Sequence, residues 1–252
     1  MFNNYTCALV IPTKNEANNL KRLLPLIPDF IDQIFVIDAN SSDNTEEVVN
    51  ESNKNIKLIK QLSRGKGGAL AKGLASSNSD FTFIIDADGS MDPSELKLFA
   101  EYLVKGISIV KGSRFMANAG SDDITKFRQF GNAFLTKLAN LLYRVKWTDL
   151  AYGYAAFSKG AIKTLNLDNV DFKIPSRFSI RNMAYGQGFE IETLIFCRAV
   201  RRGLVVKEIP SWENNRWEGD SNLKSIPDGL RALTALLLER VTNKYQPHDL
   251  NQ

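Results

Sequence analysis

Short apolar runs alternate with helical patterns over the first 112 residues, and this alternation limits the fold more than any other feature. Apolar segments predict strands at 7–11, 33–38, 57–61, 81–85 and 108–110. The amphipathic segments between them predict helices, including 16–26, 67–76 and 93–104. Strands separated by helices form βαβ units, so the sequence predicts an α/β fold, a mostly parallel central sheet flanked by helices.

Beyond residue 112 the pattern changes to longer helices. We predict helices at 123–145, 188–202 and 222–242, with short strands at 154–157 and 205–209. No repeat, low-complexity linker or shift in composition divides the chain. We therefore expect one domain spanning residues 1–252.

The cysteines and the histidine of the sequence argue against several kinds of structural or catalytic site. The two cysteines, Cys7 and Cys197, lie in apolar patterns far apart, which favours buried thiols over a disulfide framework. The one histidine, His248, is in a polar tail, so a histidine base or multi-histidine metal site is excluded. With neither a signal-like start nor an apolar run of ~20 residues, we expect a cytoplasmic protein.

Polar clusters follow three of the predicted strands, at 13–16, 38–44 and 86–90. In open α/β sheets, ligands bind beyond the carboxyl ends of the strands, so these clusters predict a site. Asp86 and Asp88 are separated by Ala87, and two carboxylates that face the same spot repel unless a cation lies between them. A hard ion, Mn²⁺ or Mg²⁺, would accept their oxygens, although Asp-Gly-Ser is also common turn chemistry.

An ordered set of motifs runs through nearly the whole chain. It comprises VIPTKNE at 10–16, VIDANSSDNT at 36–45, RGKGG at 64–68, DADGS at 86–90, GSRF at 112–115, TD at 148–149 and GDSNL at 219–223. In this order the motifs resemble those of family-2 glycosyltransferases with the GT-A fold. The nearest subgroup is the dolichyl- and polyprenol-phosphate sugar transferases with their soluble bacterial relatives.

The resemblance implies a nucleotide-sugar-binding half at 1–112 and an acceptor half at 113–252 that ends in an amphipathic helix. The residues expected to contact the donor are Pro12, Glu16, Asp38, Lys66, Asp86 and Ala87. Asp86 and Asp88 would hold the metal, and Lys66 would lie near the diphosphate. Two alternatives stay open: Asp38 as part of a turn capped by Asp43, and the glycines at 65–68 as a helix start instead of a phosphate cradle.

On the acceptor side the resemblance implies catalytic roles for Asp88, Arg114 and either Glu190 or Glu192. A spacing of two points the two glutamates apart on a helix, so only one is expected to face the site. There it would be the base for a hydroxyl acceptor, unless both simply favour a helix N-terminus. A phosphate acceptor, already ionised, needs no such base.

The favoured acceptor is phosphate-bearing, because arginine forks suit phosphate. The residues expected to bind it are Arg114, Arg128, Arg216 and Ser221. In the alternative, Arg114 pairs with Asp149 or a glutamate and Arg128 is a solvated helix residue. We therefore expect inverting transfer from a UDP- or GDP-linked sugar to a phosphate-bearing acceptor. A glycan or glycolipid hydroxyl is the second choice, and a sugar nucleotidyltransferase or an inactive sugar-nucleotide-binding module is a weaker one.

Two apolar stripes have helical spacing. One comprises Phe127, Phe130, Phe134, Leu138, Leu141 and Leu142, and the other Ile226, Leu230, Leu233, Leu237 and Val241. Such stripes usually face a core, which is the expectation here. Because lysines and arginines accompany them, peripheral contact with an anionic membrane is the alternative. The sequence predicts no nucleic-acid partner and leaves the oligomeric state open.

Overall fold

A computed structural model describes residues 1–62, 65–167 and 185–241. Their strands are β1 (Cys7–Thr13), β2 (Gln33–Asp38), β3 (Ile56–Lys60), β4 (Phe81–Ile84), β5 (Ile109–Ser113), β6 (Gly120–Ser121), β7 (Ala155–Ser158), β8 (Val206–Pro210) and β9 (Trp212–Glu213). Their α-helices are α1 (Ala17–Leu23), α2 (Thr45–Glu51), α3 (Gly65–Ser76), α4 (Leu96–Val104), α5 (Lys126–Tyr143), α6 (Lys159–Leu165), α7 (Ile191–Arg201) and α8 (Ser225–Val241).

Seven strands form one sheet in the order β3-β2-β1-β4-β7-β5-β8. All neighbouring strands are parallel except β7, which runs antiparallel to both β4 and β5. The prediction of a mostly parallel α/β sheet is therefore confirmed. Because β1, β2 and β4 are parallel, their carboxyl ends meet at one edge, where all three polar clusters begin.

Strand alternation divides the core between the two faces of the sheet. Cys7 and Leu9 of β1 face a cluster formed with α1, α2 and α4, whereas Ala8 and Val10 face one formed with α3, α5, α7 and α8. Cys197 lies in the second cluster. The two cysteines are thus buried thiols on opposite faces, as expected, and burial raises the pKa of Cys7 to about 11.

Several short elements differ from the predictions. The helix expected at 16–26 ends at Leu23 and continues as a 3-10 turn, Leu24–Leu26, because Pro25 has no amide hydrogen to donate. Helix α6 was not predicted, although its N-cap, Ser158, accepts a hydrogen bond from the Ala161 amide. The two-residue strands β6 and β9 are too short to show a periodicity. Within the described ranges, no helix combines the length and apolarity that crossing a membrane requires.

Candidate active site

The Asp86-Ala87-Asp88 segment leaves the end of β4 and turns sharply at Gly89, whose φ is +80°. Asp88 Oδ1 accepts hydrogen bonds from the Ser90 amide at 3.0 Å and the Ser90 hydroxyl at 2.8 Å. The turn alternative is therefore correct for residues 88–90. It does not compete with a binding role, because the turn holds the Asp88 carboxylate in place beside Asp86.

Lys66, near the start of α3, connects this turn to α7. Its Nζ lies 2.8 Å from Asp86 Oδ2 and 3.0 Å from Glu192 Oε1. Burial would lower the pKa of Lys66, but the charges of Asp86 and Glu192 outweigh it and hold that pKa raised. Burial raises the pKa of Glu192, against the opposing effect of Lys66. Lys66 is thus a fixed cation at the carboxyl edge of the sheet.

Gly153 provides the space for this ion pair. A Cβ at this position would lie 2.9 Å from Glu192 Oε1 and 3.0 Å from Lys66 Nζ. Both distances are shorter than ordinary van der Waals contact, so a larger residue would displace the pair.

Arg216 neutralises the second aspartate. Its Nη1 lies 3.2 Å from Asp88 Oδ2, and its Nη2 lies 3.1 Å from Asp123 Oδ2. Burial would lower the pKa of Arg216, but Asp123 and Asp88 outweigh it and raise that pKa. The charge of Asp86 also contributes to the raised pKa of Arg216.

The loop that carries Arg216 is bound to the aspartate turn by its backbone. The Trp217 amide donates to the Asp88 carbonyl at 2.9 Å, and the Asn214 amide donates to the Ser90 carbonyl at 2.8 Å. The Trp217 ring covers Gly89, where an added Cβ would lie 2.2 Å from the ring. The Arg22 guanidinium lies over the Trp217 ring, with its Cζ 4.6 Å from the ring centroid. The loop therefore encloses one side of the site.

The Asp86 and Asp88 carboxylates suit a hard divalent ion. Within residues 1–62, 65–167 and 185–241, no group of three or more His, Cys, Asp or Glu side chains could hold a metal. Two carboxylates are nevertheless what a Mg²⁺-type ion commonly takes from a protein when phosphate oxygens and waters complete its shell. Each carboxylate already has a cationic partner, Lys66 or Arg216, so this part of the structure is built to offset two negative charges.

The predicted donor residues lie along the same edge. Pro12 pairs with Ile37 in the register of β1 and β2, and the neighbouring Asp38 accepts hydrogen bonds from the Ser41 amide at 3.0 Å and the Ser41 hydroxyl at 2.5 Å. The contacts of Asp38 within its own segment are therefore those of a turn, as the alternative proposes. Asp43 accepts from the Thr45 amide at 3.2 Å, which supports the start of α2.

Glu16 is half-buried, three residues beyond the end of β1. Burial raises its pKa, the hydrogen bond from Asn19 lowers it, and the charge of Asp88 raises it further. An open, polar cavity of about 550 Å³ lies beside Glu16, between the end of β1 and residues 218–222. Asp86, Asp88 and Lys66 do not line this cavity, so it adjoins the aspartate site without containing it.

The glycine-rich run at 65–68 begins α3, as the helix-start alternative proposes. The Gly67 amide donates to the Gln187 carbonyl at 2.9 Å, and a Cβ on Gly67 would lie 1.9 Å from the Gly186 carbonyl oxygen. Gly67 therefore serves close packing against the segment before α7. Its amide is not available for a phosphate cradle.

Of the two predicted acidic residues near α7, only Glu192 joins the site. Glu190 is 1% exposed and pairs with Arg231 of α8, whose Nε lies 2.8 Å from Glu190 Oε2. It also accepts hydrogen bonds from the Gly186 amide at 2.8 Å and the Gly188 amide at 3.3 Å. The expectation that the two side chains diverge is therefore met, and a role for Glu190 as base does not fit this internal ion pair.

Arg114 is likewise held inside the protein. Its Nε and Nη2 donate to Asp149 at 2.7 and 3.0 Å, and its Nη1 donates to Glu213 at 3.1 Å. The side chain is 8% exposed, and Asp149 is fully buried. The alternative pairing with Asp149 is thus what the structure has, and a phosphate clamp on Arg114 does not fit these contacts.

Arg128 and Ser221, two of the predicted acceptor residues, both contact Leu223. Arg128 Nη2 donates to the Leu223 carbonyl at 3.4 Å, a long contact, and Ser221 Oγ accepts from the Leu223 amide at 3.3 Å. Both therefore approach the segment that follows Arg216. Asp123, Gly153 and Trp217 were missed as site residues, because their roles depend on contacts with chain segments far away in sequence.

The chain is similar in sequence to several known proteins. The model of "Glycosyl transferase family 2" matches residues 8–165. Glycosyltransferase AglJ of Haloferax volcanii is 24% identical over 227 residues, which cover 88% of this chain and 67% of that protein. The dolichol-phosphate mannosyltransferase of Pyrococcus furiosus is 25% identical over 182 residues, covering 66% of this chain and only 50% of that protein.

A third relative and a solved structure extend the comparison. The UDP-N-acetylglucosamine–dolichyl-phosphate N-acetylglucosaminyltransferase of Methanococcus voltae is 27% identical over 179 residues, 63% of this chain and 71% of that protein. Glucosyl-3-phosphoglycerate synthase of Mycobacterium tuberculosis, solved with Mn²⁺, UDP and glucosyl-3-phosphoglycerate, has a TM-score of 0.66 at 20% identity, covering 94% of this chain and 80% of that one. The chain therefore belongs to glycosyltransferase family 2 and has the GT-A fold.

Proposed function

We propose that this glycosyltransferase moves a sugar from a nucleotide diphosphate donor, UDP- or GDP-linked, to a phosphate-bearing acceptor with inversion at the anomeric carbon. The observation that carries the proposal is the pair of carboxylates at the end of β4, each facing a cation from another segment. Negative charge builds up on the diphosphate as it leaves the sugar. Charged groups fixed around that point can stabilise it, and a transferase that expels a diphosphate needs such groups.

On the donor side, Asp86 and Asp88 would hold Mn²⁺ or Mg²⁺, whose positive charge stabilises the departing diphosphate. The solved relatives support this choice, because they were crystallised with Mn²⁺ or Mg²⁺ and UDP. Lys66 supplies a second positive charge from its fixed position between Asp86 and Glu192. Pro12, Glu16, Asp38 and Ala87 would contact the nucleoside along the same edge.

On the acceptor side, Arg216 would orient a phosphate with help from Arg128. An acceptor phosphate oxygen attacks the anomeric carbon and forms the new C–O bond. The bond from that carbon to the donor's phosphate oxygen breaks, and its electron pair leaves with the nucleotide diphosphate. Because the phosphate is ionised at neutral pH, no proton has to be removed.

The names of the relatives favour a phosphate acceptor. Two act on dolichyl phosphate by name, and the mycobacterial synthase was solved with glycerol 3-phosphate in one complex. A hydroxyl acceptor is the second candidate, favoured by one observation: Glu192 is buried in the site and only 3.0 Å from Lys66. In that reaction Glu192 would be the base.

The test has two stages. A thermal-shift series with UDP- and GDP-sugars, with Mn²⁺ and with a chelator, identifies the donor, because a ligand that binds the folded state raises the melting temperature. Transfer is then measured to an acceptor phosphate and to the same acceptor after phosphatase treatment. We expect metal-dependent transfer to the phosphate alone. Transfer to both forms, lost in Glu192→Gln, would overturn the phosphate proposal in favour of the hydroxyl one.

A further inference from the structure

The outer faces of α5 and α8 carry large apolar side chains that residues 1–62, 65–167 and 185–241 leave exposed. Phe127, Phe130, Phe134 and Leu141 of α5 are 60%, 74%, 54% and 75% exposed. Ile226, Leu230, Leu237 and Val241 of α8 are 66%, 50%, 46% and 77% exposed. The core-facing expectation is therefore wrong for these residues, while Leu138, Leu142 and Leu233 are partly buried against the core. We call the eight exposed residues the α5/α8 surface.

Helical geometry places this surface opposite the inner side of each helix. At 3.6 residues per turn, the exposed residues of α5 lie about half a turn from its buried ones, Asn132, Leu135, Thr136, Ala139 and Tyr143. The same holds in α8, whose buried residues include Ala232, Ala235 and Leu236. Both apolar stripes therefore point away from the sheet.

The two helices lie side by side in the same direction. Arg128, near the start of α5, contacts the Leu223 carbonyl just before α8, and the Tyr143 hydroxyl at the end of α5 donates to the Leu236 carbonyl at 2.6 Å. Contacts at both ends fix the pair as adjacent, roughly parallel helices. Their outward stripes consequently form one elongated surface.

The exposed charged residues of the two helices themselves are all basic. Helix α5 contains no Asp or Glu, and it carries exposed Lys126 and Lys137, followed by exposed Arg144 and Lys146. Both acidic residues of α8, Asp228 and Glu239, are buried, and Glu239 is paired with Arg198 at 2.6 Å. The two aspartates just before α5 are already bonded, Asp122 to Trp212 and Asp123 to Arg216.

We infer that the α5/α8 surface docks on an anionic lipid bilayer. Exposed aromatic and aliphatic side chains on a helix face, bordered by lysine and arginine, fit the acyl boundary and the anionic headgroups together. A second copy of the chain fits less well, because a two-fold interface would bring the basic borders of both copies together. The acceptor side adjoins the amino ends of these helices, so, if the proposed function holds, a lipid-borne phosphate would approach from the membrane.

The test is flotation of the full chain with vesicles of phosphatidylcholine alone and with added phosphatidylglycerol, at low and high salt. We expect flotation with the anionic vesicles at low salt. The double substitution Phe130→Ser and Phe134→Ser should weaken binding by more than about tenfold. Lys126→Glu with Lys137→Glu should weaken it to a similar degree and reduce its dependence on salt.

Matched controls change residues of the same kind elsewhere. Leu26→Ser removes an apolar side chain that is 56% exposed, and Lys97→Glu reverses an exposed charge on α4, so neither should alter flotation. All these positions are exposed, so the melting temperature and transfer to a water-soluble phosphate acceptor should stay unchanged. Loss of that transfer would instead point to the active site.

Three results would overturn the proposal. One is no flotation at low salt, and another is equal flotation of the wild type and both double variants. The third is a wild-type dimer in light scattering that the two serine substitutions convert to a monomer, because the surface would then be an interface between copies.

Discussion

Arg114 and Arg216 are both arginines that sequence motifs assign to the acceptor, yet the structure gives them different surroundings. Arg114 has three of its nitrogens bonded to Asp149 and Glu213 and is 8% exposed. Arg216 bridges Asp88 and Asp123 and is 23% exposed. The difference teaches that an arginine near a site is available to a ligand only if its present partners can be exchanged.

The partners of the two arginines differ in the same way. Asp149 accepts hydrogen bonds from Arg114, from Asn132 at 3.0 Å and from the Ala151 amide at 3.2 Å, so its oxygens are saturated. Asp88 is held on one side by Ser90, and its other oxygen meets Arg216. Arg114, Asp149 and Glu213 form an inner cluster that belongs to the scaffold. Arg216, Asp88 and Asp123 form an outer cluster, whose side chains are partly exposed.

The largest effect is expected from a substitution that breaks the inner cluster. Asp149→Asn should lower the free energy of unfolding by about 3–5 kcal/mol, because it leaves part of the buried Arg114 charge uncompensated. Asp123→Asn, the matched change in the outer cluster, should cost no more than about 1 kcal/mol, since its side chain is 20% exposed. Urea unfolding of both variants measures the difference. Equal losses would contradict the division into a scaffold and an exchangeable site.

The same cluster predicts a pH dependence. Burial would raise the pKa of Asp149, but the Arg114 charge outweighs it and holds the pKa below its usual value. A lowered folded-state pKa stabilises the protein above the ordinary carboxyl pKa, and that contribution disappears as the pH falls through the lowered value. The stability gap between wild type and Asp149→Asn should therefore be constant above about pH 5 and shrink below about pH 4.

The second effect concerns the outer cluster alone. Asp88→Asn should reduce transfer by roughly 100- to 1000-fold, because one charge that holds the metal is lost. Stability should change little, since relief of repulsion with Asp86 offsets the lost pair with Arg216. Asp92→Asn, an exposed aspartate in the same loop, is the control for steady-state rates. Near-normal turnover of Asp88→Asn would remove the metal role.

A site residue can be predicted from the sequence when its position depends on neighbouring residues along the chain. Asp86 and Asp88 follow a strand directly, so their place at the sheet edge was predictable from the pattern. The partners of Arg114 are 35 and 99 residues away, so the sequence could offer pairing with Asp149 or a glutamate only as an alternative to a phosphate ligand. The choice between Glu190, which precedes α7, and Glu192 also depends on distant residues, because cations from α8 and α3 bind them.

The prediction that the apolar stripe of α5 faces the core was wrong for a different reason. Its inner face includes two polar side chains, Asn132 and Thr136, which accept hydrogen bonds from the Leu150 amide at 3.2 and 3.1 Å. The outer face is therefore the more apolar one. Hydrophobic periodicity identifies a face but not its direction, and here the usual assumption that the apolar face is inside is wrong.

The third effect tests how tightly Lys66 and Glu192 are positioned beside the aspartates. Gly153→Ala should push the flexible ends of Lys66 and Glu192 aside and lower transfer roughly 30-fold, because small displacements of positioning groups cost much in rate. The melting temperature should fall little, since those ends can move. Gly131→Ala on α5 is the matched control: in the described part of the chain, nothing beyond the local backbone of α5 lies within 4 Å of its new Cβ, so activity should be unchanged. If Gly153→Ala is as active as Gly131→Ala, Lys66 does not have to be held where it is.

The smallest expected effect sharpens the comparison of the two arginines. Arg216→Lys keeps the charge beside Asp88 but loses the planar fork, so transfer to a phosphate acceptor should fall about tenfold while slow donor hydrolysis survives. Arg114→Lys should instead lower stability, because a lysine cannot satisfy Asp149 and Glu213 together. Rates of transfer and hydrolysis, measured with the melting temperature of each variant, separate the two roles. If Arg216→Lys loses both activities equally, Arg216 serves the donor or the aspartate turn, and a hydroxyl acceptor with Glu192 as base becomes the better account.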